Sequence, residues 1–232
     1  MSDKNTLQAV RKMRAFCKKW GIDYDNVPER FEFSAGNSKL KPDGIVSFNL
    51  IPLVTCPFAG SCAKICYAQC GPQWFRSGKI ARVGMFKATL SESFVSRMVA
   101  LIHARAISRV RFHDSGDFYS PEYLEKFMSV AQNCPGTRFY VYTKSIKWVR
   151  DYVAANGLPK NVNVIQSRGG LQDQLIGDDF SVANIFPDKK SLLKAGYADT
   201  SESDMPALIG KKKIGLIVHG AKKNSYNTEN FI

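Results

Sequence analysis

The second half of the chain alternates short apolar segments with longer amphipathic ones, and this alternation constrains the fold most strongly. The apolar segments are RVRF, RFYVYT, NVNVIQS, SVANIF and KIGLIV, and the first three are separated by SPEYLEKFMSVAQN and IKWVRDYVAANG. Strands that alternate with helices of this length are typical of parallel βαβ units. About six mostly parallel strands in one domain predict a partial or compressed TIM-type barrel, and a doubly wound open sheet is the alternative.

The first half of the chain adds helices and one more strand. An apolar residue recurs every three or four positions near the start and predicts an amphipathic helix: Leu7, Val10, Met13, Phe16 and Trp20. The run GIVSFNLIPLV predicts a strand, and two helices are expected over residues 80–90 and 92–106. With 232 residues, 44% of them hydrophobic, the chain fits one domain, with a helical extension at 1–34 and a polar tail at 220–232.

Charge and hydropathy limit the classes of protein that are compatible with this sequence. The longest apolar run falls short of the roughly 20 residues of a membrane span, and MSDKNTLQAV lacks the apolar core of a secretory signal. We therefore expect a cytoplasmic protein that does not contact a membrane and that has reduced thiols. Lys and Arg number 33 against 20 Asp and Glu, a net charge of +13 that favours nucleic acid or an anionic substrate. Solvated surface charge is the alternative.

Four of the six cysteines lie in one loop, CPFAGSCAKICYAQC. Cys56, Cys62, Cys66 and Cys70 are separated by five, three and three residues, which predicts a metal centre with soft thiolate ligands. Zinc sites are usually built from CxxC pairs, which are absent from the sequence, so zinc is the alternative. Iron-sulfur clusters are wider and are held by thiolates, so the spacing favours an iron-sulfur cluster. If Cys70 is a ligand the cluster is closed; if it is not, one iron is open to chemistry.

Polar residues follow the predicted strands at their carboxyl ends. They are His113, Asp114, Ser115, Gly116 and Asp117, then Thr143 and Lys144, then Gln166, Ser167 and Arg168, and last His219. Both candidate architectures bind ligands at this edge of the sheet. We interpret His113, Asp114 and Asp117 as catalytic candidates, with His113 as the proton carrier, and Lys144 and Arg168 as binding groups for phosphate or carboxylate. The alternative role of each is a salt bridge or a hydrogen bond at a strand end.

The run TCPFAGSCAKICYA, together with HDSGDF and YTKS, resembles the phage-encoded gene product 88 family and, less closely, radical-SAM-like proteins whose cysteine loop also ends in CYA. The resemblance implies a viral protein with a 4Fe-4S cluster, held by Cys56, Cys62 and Cys66 on a radical-SAM-like α/β barrel. Ser115, Gly116 and Asp117 are the loose counterpart of the stretch that contacts SAM in radical SAM enzymes. That loose match and the different cysteine spacing count against SAM binding.

Three functions remain open. The first is an enzyme that performs reductive or radical chemistry on an anionic or nucleic-acid substrate, with an electron donor as partner. The second is a non-catalytic, cluster-stabilised protein that binds nucleic acid or a host protein, using the aromatic residues Trp74, Phe75 and Tyr119 beside Arg76 and Lys79. The third is electron transfer through a closed cluster.

Overall fold

The computed structural model describes residues 3–71 and 74–218. The strands are β1 (Val46–Phe48), β2 (Arg109–Phe112), β3 (Arg138–Thr143), β4 (Val162–Ser167), β5 (Ser181–Phe186), β6 (Ala198–Asp199) and β7 (Lys213–Ile217). The helices are α1 (Lys4–Lys19), α2 (Arg76–Leu90), α3 (Phe94–Ala104), α4 (Pro121–Gln132), α5 (Ile146–Asn156), α6 (Lys189–Lys194) and α7 (Met205–Leu208). His219 and the predicted tail at 220–232 lie outside the described residues.

One curled sheet forms a half-barrel surrounded by helices. Its strand order is β1-β2-β3-β4-β5-β7-β6, and every neighbouring pair is parallel. The predicted parallel α/β architecture is confirmed, whereas the strand count is seven rather than about six. The additional strand, β6, has only two residues, too few for a recognisable alternation of apolar and polar positions. A single curled parallel sheet brings the carboxyl ends of its strands to one edge.

Local sequence explains where the main helices begin. Ser120 caps α4 by accepting a hydrogen bond of 3.2 Å from the amide of Tyr123, and Pro121 occupies the first turn, as predicted. Asp3 caps α1 in the same way, through the amides of Asn5 and Thr6. Each of these caps satisfies amides that the helix itself leaves without a partner.

Two details of the first half differ from the predictions. Leu7 and Trp20 are 52% and 37% exposed, so the predicted apolar stripe of α1 is wrong at both ends. The helix is rotated so that Thr6 faces the core, where its hydroxyl donates to the Ser120 hydroxyl at 2.9 Å. In GIVSFNLIPLV only Val46–Phe48 forms a strand, because the chain turns immediately afterwards towards the cysteine loop.

The two faces of the sheet carry different cores. Phe112, Phe139 and Val141 pack into a large apolar cluster with the surrounding helices. On the other face, Tyr140 and its neighbours form a smaller cluster with α7 and the segment around Leu40. These elements fill part of the inner face, and the cavity described below opens at the strand ends. None of the helices in the described part of the chain has the length and hydrophobicity needed to cross a membrane.

Candidate functional site

The cysteine loop lies against the carboxyl edge of the sheet. The amides of Gly60 and Cys62 donate to the carbonyl of Gly169 at 3.2 and 3.1 Å, and the amide of Leu171 donates to the carbonyl of Phe58 at 2.9 Å. A Cβ atom at Gly60 would lie 2.9 Å from the Gly169 carbonyl oxygen, so this close approach requires glycine. The loop is therefore fixed to the segment that follows β4.

Three of the four loop cysteines line one cavity of about 170 Å³: Cys56, Cys62 and Cys66. The ends of three strands supply further lining residues: His113, Asp114, Ser115, Gly116, Asp117, Lys144 and Ser167. Cys70 and Arg168 are not among the lining residues. The Cys70 thiol instead donates to the carbonyl of Tyr67 at 2.9 Å. The structure thus brings most of the predicted site together and separates it from Cys70 and Arg168.

Asp117 connects two of the loops around this cavity. Its carboxylate accepts hydrogen bonds from the Thr143 hydroxyl at 2.6 Å, the Lys144 amide at 2.8 Å and the Phe118 amide at 2.7 Å. Burial raises the pKa of Asp117 to about 6, although these hydrogen bonds oppose the shift. The Lys144 ammonium in turn donates to the Ser167 hydroxyl at 2.8 Å. The ends of β2, β3 and β4 are therefore joined by side chains at the site.

His113 is neutral in the folded protein. Burial, together with the charge of Arg111, lowers its pKa to about 3, and its Nε2 atom lies 2.8 Å from the Tyr123 hydroxyl. A group with this pKa does not exchange protons readily near neutral pH. The raised pKa of Asp117 lies closer to neutrality, which makes its carboxyl a better candidate than His113 for a proton carrier.

The residues proposed to contact a cofactor are held by internal bonds. The Ser115 hydroxyl donates to the Leu50 carbonyl at 2.9 Å and accepts from Nε of Arg82 at 3.2 Å. Gly116 has a φ of +90°, and a Cβ atom there would lie 2.6 Å from Cβ of Leu50. Ser115, Gly116 and Asp117 thus shape the cavity wall and position the loop after β2.

A buried ionic network that includes two residues of the cavity wall, Arg111 and Asp114, was not predicted. Nη1 of Arg111 lies 2.8 Å from Oδ2 of Asp204 and 3.4 Å from Oδ1 of Asp114. Asp204 also binds the Lys39 ammonium at 2.6 Å and accepts from the Tyr140 hydroxyl at 2.7 Å. Burial alone would raise the pKa of Asp204, but Arg111 and Lys39 outweigh it and hold this pKa below its usual value.

Sequence signals for this network are uneven. The arginine between Val110 and Phe112 in the strand RVRF is an indication, because a charged residue in a buried strand needs a partner. Nothing in the sequence around Asp204 identifies that residue as the partner.

A second cavity of about 130 Å³ adjoins the first. Both are lined by Ile65, Tyr67, Arg111, Asp114, Ile185 and Leu216, and the second adds Asn37, Lys39, Ile217 and Val218. The combined space therefore extends from the cysteines to the ionic network.

The electrostatic setting of the cysteines bears on what they can bind. Burial raises the pKa of the Cys56 thiol, and the nearby Asp117, Cys62 and Cys66 raise it further. A bare thiolate is disfavoured here, and a bound cationic metal centre would compensate its charge. Three soft sulfur donors around one cavity fit a cluster with three cysteine ligands. Across residues 3–71 and 74–218, no three His, Cys, Asp or Glu side chains converge closely enough to hold a single metal ion.

Fold and site together define an α/β half-barrel protein with a thiol-lined cavity at the carboxyl edge of its parallel strands. The sequence profile of the Gene product 88 family matches residues 25–232, and the chain belongs to this phage family. The family membership expected from the cysteine loop is thereby confirmed. No curated protein and no solved structure matches the chain. Helix α1 precedes the matched residues.

Proposed function

We propose that the protein holds a 4Fe-4S cluster through Cys56, Cys62 and Cys66 and performs reductive or radical chemistry on an anionic substrate beside it. One observation carries this proposal: these three cysteines line the same cavity, whereas the Cys70 thiol is bonded to the Tyr67 carbonyl. Three protein ligands would leave one iron accessible to substrate.

The donor set supports a cluster better than a single zinc ion. Structural zinc sites need four ligands in close tetrahedral contact with one ion. A cluster accepts thiolates that are farther apart, because each sulfur binds a different iron. Three cysteines distributed around one cavity suit the second arrangement.

The surrounding side chains suit an anionic substrate. When bound, an iron-sulfur cluster supplies single electrons. Lys144 lines the cavity and, within the described residues, has no carboxylate at ion-pair distance, so its ammonium is available to an incoming phosphate or carboxylate. Asp117, with a pKa of about 6, can accept or release a proton at its carboxylate near neutral pH. The partly enclosed cavity limits the access of bulk water to these groups.

Metal analysis tests the cluster directly. The full chain is purified without oxygen, and its iron, acid-labile sulfide and zinc are measured per chain. We expect iron and sulfide in equal amounts, about four of each. Stoichiometric zinc without sulfide would refute the proposal.

The type of chemistry is tested separately, with SAM and a reductant added to the protein that contains the cluster. Formation of 5′-deoxyadenosine would assign radical chemistry. Its absence from a protein with a reducible cluster would restrict the function to reduction or electron transfer.

A further inference from the structure

The outward face of α1 is rich in basic residues, most of them in its second half. The helix has six basic residues and no acidic one: Lys4, Arg11, Lys12, Arg14, Lys18 and Lys19. All six are exposed, and they are called the basic face below. Arg14 pairs with Asp25 at 2.7 Å, and the other five form no ion pair with any residue that the structure describes. The face therefore offers several cations to a polyanion.

Exposed aromatic rings lie at the carboxyl end of this helix. Arg76 donates to the carbonyls of Trp20 and Gly21 at 3.1 and 2.8 Å, which holds the start of α2 against the end of α1. Phe75, immediately before Arg76, is 65% exposed. Trp20 is 37% exposed, and the Lys79 ammonium lies 3.8 Å from its ring centroid. Phe75 is therefore the ring most open to stacking.

Other aromatic and basic residues that the sequence suggested for binding are not available on this surface. Tyr119 is only 3% exposed, and its hydroxyl lies 2.7 Å from that of Thr89 in the core. Lys79 is only 4% exposed, beneath the tryptophans. The prediction that these two residues are exposed for binding was wrong.

We propose that the basic face, together with Phe75, binds single-stranded nucleic acid. The lysines and arginines would contact successive phosphates along a helix about 24 Å long, and Phe75 would stack on a base. A membrane-surface helix needs an exposed apolar face. Most of the apolar side of α1 is instead buried, with Met13 and Cys17 at 0% and 1% exposure, and the exposed Leu7 does not by itself form an apolar face. The basic face therefore fits nucleic acid better than a lipid surface.

This surface is separate from the thiol-lined cavity. Helix α1 lies outside the residues that the family profile matches, and substitutions on its outward face leave the site untouched. The inference therefore stands whether or not the cysteines hold a cluster.

Binding is tested with the full chain by fluorescence anisotropy, using a labelled oligothymidylate of about 20 nucleotides at several salt concentrations. The test variant replaces Arg11, Lys12, Lys18 and Lys19 with Gln. We expect at least a tenfold loss of affinity and a smaller salt dependence, since each lost phosphate contact removes about 0.7 from the logarithmic slope.

A matched control separates this face from net charge. Four exposed lysines elsewhere, Lys160, Lys190, Lys194 and Lys211, are replaced with Gln, which removes the same number of charges. We expect this control to bind within about threefold of the unmodified chain, because its phosphate contacts are intact. An equal loss in both variants would overturn the proposal, because binding would then follow total charge.

Phe75→Ala tests the stacking contact, and this exposed position keeps the variant folded. We expect severalfold weaker binding to the single strand and unchanged binding to a duplex of the same sequence. Tighter binding to the duplex than to the single strand would overturn the proposal. The same holds if the unmodified chain binds vesicles of anionic phospholipid, or polyglutamate, but not the oligonucleotide.

Discussion

The Tyr67 hydroxyl donates a hydrogen bond of 2.9 Å to Oδ1 of Asp114 and also lies against the Asp114 carbonyl. Tyr67 follows Cys66 directly, so this contact ties the last cavity-lining cysteine to the carboxyl end of β2. Asp114 in turn approaches Arg111, which pairs with the buried Asp204. The cysteine loop is thereby anchored to the interior of the half-barrel.

Loss of the Tyr67 hydroxyl should loosen this anchor. We expect Tyr67→Phe to lower the free energy of unfolding by about 1–3 kcal/mol, because the mostly buried Asp114 carboxylate loses a hydrogen-bond donor. Urea titration measures the change. Tyr197→Phe is the matched control, since the Tyr197 hydroxyl has no hydrogen bond to the described residues, and it should change stability by less than about 0.5 kcal/mol. Equal stability of both variants would contradict the anchoring role.

The cysteines should fall into two groups. Single substitutions Cys56→Ala, Cys62→Ala and Cys66→Ala should each reduce bound iron and sulfide severalfold, because each would remove one of three cluster ligands. Cys70→Ala should retain the cluster with an unchanged absorption spectrum, because its thiol is bonded to the Tyr67 carbonyl instead of facing the cavity. Iron and sulfide assays on protein purified without oxygen distinguish the groups. Loss of iron in Cys70→Ala would show that Cys70 is a ligand and that the cluster is closed.

Removal of Asp204 should be costly for the fold. Asp204→Ala leaves the Lys39 ammonium without a carboxylate among the described residues and leaves Arg111 with only Asp114, at 3.4 Å, and we expect a loss of about 3–5 kcal/mol in unfolding free energy. Asp151→Ala is the control, because its pair with Lys147 is exposed at 61% and 59% of the two side chains. That change should cost less than about 0.5 kcal/mol. Denaturant titration measures the unfolding free energy of both variants. Similar decreases in the two would show that the Asp204 network contributes little to stability.

His113 should contribute to the dependence of stability on pH. Between about pH 3 and 6.5 the unfolded chain binds a proton at this position and the folded chain does not, so the contribution of His113 to stability increases with pH. A difference of one whole bound proton changes the unfolding free energy by about 1.4 kcal/mol per pH unit, which is the largest slope that His113 can contribute. Asp117 acts in the opposite direction between about pH 3.8 and 6, because its folded pKa is raised.

The comparison that isolates this effect is His113→Gln against the unmodified chain. We expect a shallower rise of unfolding free energy from pH 4 to 6.5 in the variant, measured by urea titration at each pH. His103→Gln, at an exposed position, controls for the loss of a histidine. Parallel curves for His113→Gln and the unmodified chain would show that His113 is protonated to the same extent in both states.

Gly116 should not tolerate a side chain. Its φ of +90° and the 2.6 Å approach of a Cβ atom to Leu50 predict that Gly116→Ala destabilises the fold by about 1–3 kcal/mol. Gly136→Ala is the control, since a Cβ atom there meets nothing within 4 Å. Thermal unfolding compares the two, and equal melting temperatures would contradict the crowding at Gly116.

The sequence by itself determined the class of fold and pointed to the sheet edge at which the candidate site lies. Strands and amphipathic helices are recognised from apolar residues that recur two to four positions apart along the chain. The cap at Ser120 is recognised in the same way, from the residues that follow it directly. The family relation also followed from short runs of residues, TCPFAGSCAKICYA, HDSGDF and YTKS, through their resemblance to the family. These features depend on short-range geometry, which a sequence expresses directly.

Only the tertiary structure decided which side chains meet. Arg111 and Asp204 are 93 positions apart, and their contact exists because the curled sheet and α7 bring them together. The same applies to the division between Cys56, Cys62 and Cys66 in the cavity and Cys70 outside it, and to the rotation of α1 that buries Thr6 and exposes Leu7. Such contacts depend on packing between distant segments, and no periodicity or spacing along the chain encodes them.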